Sequence, residues 1–198
     1  DHHNVRMVAP VVTRIVVGVL AALTTVTLLA GPAGADPPAP TDYRSEVDRI
    51  VPEVDGVRAS VVGGDGFLVI EVDEGIEVDV PGYGGEPYVR FRADGTVEEN
   101  LRSPARYLNE ARDGDVEPPP DADGDAEPEW EVVADDGRWA WHDHRIHYMG
   151  GGDPPRRVVE WEVPITVDGD EVVVHGSYRR LAAPSPLPWV ALAAVVTL

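Results

Sequence analysis

The segment Arg138 to Met149, RWAWHDHRIHYM, holds three of the six histidines and two of the five tryptophans of a 198-residue chain. Imidazole is the commonest protein metal ligand, so the spacing of these rings is the first thing to read. On a strand, His142 and His144 point to one face about 7 Å apart at the backbone, close enough to converge on one ion. His147 is three residues further on and joins them only through a bulge or a turn. Asp143 falls on the opposite face with Trp139 and Trp141. The chain has no cysteine, so a site here is built from nitrogen and oxygen, which suits Cu(II), Zn(II) or Ni(II). The competing reading is structural: histidines hydrogen-bonded to backbone and carboxylates in a polar corner, with the indoles in the core. Imidazole nitrogens converging within about 4 Å mark a metal site. Rings that are dispersed, or each capped by a carboxylate or carbonyl, mark the structural role.

Other candidate chemistry is weaker. Tyr83 and Tyr88 flank the glycines of Gly82–Tyr88, an arrangement that suits an exposed recognition loop, because tyrosine gives contact area at low entropic cost. Packing of both rings onto a sheet is the alternative. Asp121, Asp123 and Asp125 open like a calcium loop, but Ala126 stands where glycine is needed, Val132 where glutamate is, and Pro128 interrupts the turn. His175 and Ser177 share a face of a predicted strand without an acid to orient them. No nucleophile elbow, H-E-x-x-H or phosphate loop occurs, and with 36 acidic residues carboxylate pairs at catalytic spacing carry no information. The expectation is a non-enzymatic protein.

The elements that must position these residues read as strands. Two-fold alternation runs through Val47–Val51, and short β-branched runs cover Val57–Val62 and Phe67–Val72, split by Gly63-Gly64-Asp65-Gly66. Ile76–Val80 and Tyr88–Arg92 follow, then Val158–Val167 and Glu171–Leu181. Asp94-Gly95, Asp136-Gly137 and Asp168-Gly169 are hairpin signals, since both turn positions need positive φ. Ser103–Arg112 is the one helical turn, with Ser103 as N-cap and Pro104 at the first position. Residues 113–129, acidic and Pro-rich, predict a solvated loop between two β halves. The expected fold is all-β: one β-sandwich, immunoglobulin-like or Greek-key, or a small barrel.

Composition adds location. Sixteen basic residues against 36 acidic ones leave a net charge of -20, which repels phosphate backbones and excludes nucleic acid as a partner. Residues 15–30 carry no charge; Arg6 and Arg14 precede them, and Ala33-Gly34-Ala35 follows. That order is a secretory signal peptide with cleavage after Ala35, and residues 1–35 form the leader. Met7 is then the natural start, and His2 and His3 carry no functional weight. Residues 182–198 read as a hinge running into the start of a transmembrane helix, with Trp189 as interfacial anchor. A last buried strand is the alternative there. Residues 36–181 become an extracytoplasmic domain, and without cysteine its stability rests on its core.

Three segments also carry a resemblance: RWAWHDHRIHYM, Gly82–Phe91 (GYGGEPYVRF) and Glu98–Asn109 (EENLRSPARYLN). Together they resemble a family of exported, membrane-anchored proteins of high-GC actinobacteria to which no activity is attached, over about Thr41 to Pro188. The resemblance implies an ectodomain on the outer face of the cell membrane and supplies no catalytic residue. The expected function is a binding or structural module whose partner is another envelope or membrane protein. The alternative is copper or zinc binding through the histidines, and an envelope hydrolase comes third.

Overall fold

The computed structural model describes residues 42–112, 116–150, 157–182 and 184–189. The expected leader with its expected cleavage site, and residues 190–198 of the expected membrane helix, lie outside the described residues. Among the described residues no helix is long and apolar enough to cross a membrane. Residues 184–189 form no strand, and Leu187 and Trp189 are exposed.

Among the described residues, ten strands form two antiparallel sheets. The larger contains β1 (Tyr43–Val51), β4 (Val78–Pro81), β5 (Pro87–Phe91), β6 (Val97–Asn100), β7 (Trp130–Ala134), β9 (Val159–Val167) and β10 (Asp170–Arg180), in the order β1-β10-β9-β4-β5-β6-β7. The smaller is β2 (Val57–Val62), β3 (Phe67–Val72) and β8 (Arg138–Trp141), in the order β2-β3-β8. A short helix, α1 (Pro104–Leu108), follows β6, with Ser103 before it and Pro at its start. Neither sheet closes, so the barrel alternative gives way to two open sheets sharing one core, the arrangement of a β-sandwich. The seven-plus-three division of strands also departs from the four-plus-three of an immunoglobulin constant-type domain.

Alternation explains the core. Along β9, Trp161, Val163, Ile165 and Val167 are buried while Glu160, Glu162 and Pro164 face out. Val172 and Val174 of β10 do the same, and Leu68, Ile70 and Val72 of β3 face them from the other sheet within one cluster. The smallest residue on that inner face is Gly176, paired in register with Trp161. A Cβ there would lie 2.1 Å from the indole and 2.4 Å from the Glu46 carbonyl oxygen. The indole fills that space and donates Nε1–H to Ser45 Oγ at 2.8 Å.

Two of the three Asp-Gly signals make hairpins, joining β5 to β6 and β9 to β10. Asp136-Gly137 does not. It carries the chain from β7 in one sheet to β8 in the other, with Gly137 at φ +68 and its N–H on Gly95 O at 2.8 Å. The local turn preference is satisfied, yet β8 finds its partner in β3, because burying Trp141 requires the smaller sheet. The acidic stretch likewise does not divide the molecule into halves. It returns the chain from α1 to β7, which pairs with β6, and Gly124 packs against the Glu86 side chain.

Candidate metal centre

Strand β8 ends at Trp141, and the three histidines lie just beyond it. Asp143 caps a single 3₁₀ turn, His144–Ile146, by accepting Arg145 N–H at 3.0 Å. That turn brings His147 back beside His142, the geometry that regular strand spacing could not supply. Ring centroids are 5.4 Å apart for His142–His144, 4.5 Å for His142–His147 and 5.6 Å for His144–His147. One ring nitrogen from each lies within 4.8 Å of the others, so the cluster could hold a metal ion.

Each ring is also tied to a backbone carbonyl. His142 Nδ1 meets Gly66 O at 2.7 Å, His144 Nε2 meets Ala111 O at 2.8 Å, and His147 Nδ1 meets Tyr148 O at 3.1 Å. A carbonyl oxygen only accepts, so each bonded nitrogen is the N–H and the other carries the lone pair. Those lone-pair nitrogens are His142 Nε2, His144 Nδ1 and His147 Nε2. The first and third are buried with no hydrogen-bond partner among the described residues. Carbonyl capping therefore does not separate the metal role from the structural one. A ligating histidine ordinarily donates its second N–H in this way, and it keeps the other nitrogen bare. The 4.8 Å spread exceeds the 4 Å criterion, and closing on an ion with bonds near 2.0–2.1 Å draws each nitrogen inward by at most about 0.8 Å.

Burial holds His142 and His147 neutral. Burial pushes His147 down to about 4, helped by His142 and Arg112 nearby. Burial also lowers His142, with further repulsion from His144 and Arg112. Neutral imidazole is the ligating form, so at these two rings a proton does not compete at neutral pH.

The turn is braced from beneath. Asp143 is fully buried and accepts from Trp141 Nε1 at 2.9 Å, from Arg145 Nε at 2.9 Å and from Arg145 Nη2 at 2.7 Å. Burial alone would raise its carboxyl, but the Arg145 guanidinium outweighs that and holds it below the ordinary range. Arg145 in turn donates to Pro81 O at 3.2 Å and lies 5.3 Å over the Tyr83 ring.

The tyrosines take different places. Tyr83 is 37% exposed and stacks on His144 at 5.9 Å; its hydroxyl accepts His144 N–H at 2.9 Å and donates to Asn109 Oδ1. Tyr88 is 1% exposed, so it cannot flank an exposed recognition loop. It sits in the core edge-on to Trp141 and accepts from Asn109 Nδ2 at 3.2 Å. Trp141 is buried, as the core reading requires. Trp139 is half-buried beside a cleft of about 270 Å³ that Trp141 and His142 also line. His175 pairs with Glu162 at 3.2 Å and Ser177 with Asp48 at 3.4 Å, so these two form no dyad.

Sequence reasoning missed the carbonyl caps, the Tyr83–Asn109 support and the pair that half-buried Arg112 makes with buried Asp65 at 2.6 Å beside the site. Only Asp143-x-Arg145 was open to reading in advance, as a short acid–base spacing around a turn. Known protein families, curated proteins and solved structures yield no match to this chain.

Proposed function

We propose that this chain is an extracytoplasmic β-sandwich module that holds a transition-metal ion of the copper–zinc class through His142, His144 and His147. One observation carries the metal reading: three neighbouring imidazoles, each with its N–H fixed on a carbonyl, leave lone-pair nitrogens that include two buried without a partner. An unpaired buried polar atom costs about 1–3 kcal/mol, so two in one cluster need a compensating ligand. The extracytoplasmic, membrane-anchored placement is supported by the order of the apolar ends and by the resemblance to exported actinobacterial proteins. A partner in the envelope or membrane follows from that placement. Binding rather than catalysis is supported by Asp143, the carboxylate nearest in sequence, whose two oxygens are both committed to Trp141 and Arg145.

The test is uptake by the full chain after stripping with chelator. Wild type should take up one more equivalent of metal than the His142→Gln/His144→Gln variant, the difference removing whatever His2, His3 and His175 bind. Equal uptake by both proteins, with the variant folded, would refute the proposal.

A further inference from the structure

We infer that the histidine triad is a seat for monovalent copper, Cu(I), held by three imidazole nitrogens with no anionic ligand. This rests on the metal reading above and narrows it to one ion. The first ground is donor charge. The convergent group consists of the three histidines alone among the described residues. Asp143 is saturated by Trp141 and Arg145, and Asp65, which pairs with Arg112 through Oδ2 and keeps Oδ1 buried and unpartnered, lies outside the convergent group.

The second ground is burial. His147 is 3% exposed, and Nε2 of both His142 and His147 is shut off from solvent. The cost of burying an ion rises with the square of its charge, so a dication costs about four times what a monocation does in the same site. Arg112 adds to the difference, because its positive charge acts against any cation at His142 and His147.

The third ground is coordination number. Zn(II) seeks four ligands and Cu(II) a tetragonal set of four or more. A filled d-shell Cu(I) is satisfied by three nitrogens in a plane. Three rings that ligate uncharged, two of them with the free nitrogen shut off from solvent, therefore favour the ion of lowest charge and lowest coordination demand.

The test uses the full chain without oxygen, with Cu(I) buffered by a chromophoric chelator and with Zn(II) and Cu(II) titrated separately. Ag(I) serves as a redox-inert monovalent probe. We expect one Cu(I) and one Ag(I) per chain, bound at least about 100-fold more tightly than Zn(II) or Cu(II). Both should be lost in the His142→Gln/His144→Gln variant. His144→Gln alone, at a half-exposed ring, provides the same readout if the double variant fails to fold. Zn(II) or Cu(II) binding within 100-fold of Cu(I), and dependent on the triad, would overturn the Cu(I) assignment and leave the metal site standing. No triad-dependent uptake of any ion would remove both.

Discussion

At the scale of residues, the account turns on where protons and lone pairs sit. His147 is held neutral in the folded, metal-free chain, with its pKa at about 4 against about 6.5 when unfolded. Between those values the unfolded chain binds more protons, so stability is full above about pH 6.5 and falls as the pH drops toward 4. The loss should reach about 2–3 kcal/mol, and His147→Gln should flatten it; chemical denaturation at a series of pH values measures both. The Asp143–Arg145 pair predicts a second outcome. Asp143→Ala strands a guanidinium that is largely buried and should cost about 3–5 kcal/mol, while Asp143→Ala/Arg145→Met should recover much of it. Equal instability of the two variants would show that the pair does not brace the turn. The sequence made the histidine cluster legible, since residue type and closeness along the chain are enough to nominate it. It hid the carbonyl caps, because Gly66 and Ala111 lie 76 and 33 residues from the rings they hold, and no side-chain type announces a backbone oxygen.

At the scale of elements, alternation placed β2, β3, β5, β9 and β10 close to their true limits, since a sheet with one buried face writes its period into the sequence. Sheet membership was less legible. Asp136-Gly137 carries the same local signal as Asp94-Gly95, and only long-range pairing sends one across the sandwich. The two glycines separate these roles by experiment. A Cβ at Gly137 would lie 2.4 Å from Val72 O, whereas one at Gly95 meets nothing nearer than 3.5 Å. Both have positive φ, so each alanine is strained. Gly137→Ala adds a backbone collision and should lower the melting temperature by about 6 °C or more, well beyond Gly95→Ala. Equal effects would mean that the crossover yields freely.

At the scale of the whole molecule, the β class came through plainly, while the seven-plus-three division did not, because strand order is a property of the assembled sheets. Residues 36–181 should fold alone, since the most apolar runs lie outside them and the core cluster falls within them. Replacing Asp115–Glu127 by a short Gly/Ser linker should leave that fold standing. Among the described residues of this stretch the side-chain hydrogen bonds are exposed, such as Arg102 to Asp121 O at 3.3 Å, with Gly124 against Glu86 as its inward contact, and loop length acts weakly on closure entropy. A melting temperature lowered by more than about 10 °C would show that the stretch packs.

With a net charge of -20, the surface gathers cations loosely whether or not a specific site exists. Stoichiometry is therefore less decisive than the identity of the ligand atoms. The most direct measurement is the metal-edge X-ray absorption spectrum of the copper-loaded protein. The account predicts a nitrogen shell with imidazole scattering from three rings, lost in the His142→Gln/His144→Gln variant. An oxygen-only shell, unchanged by that variant, would contradict it.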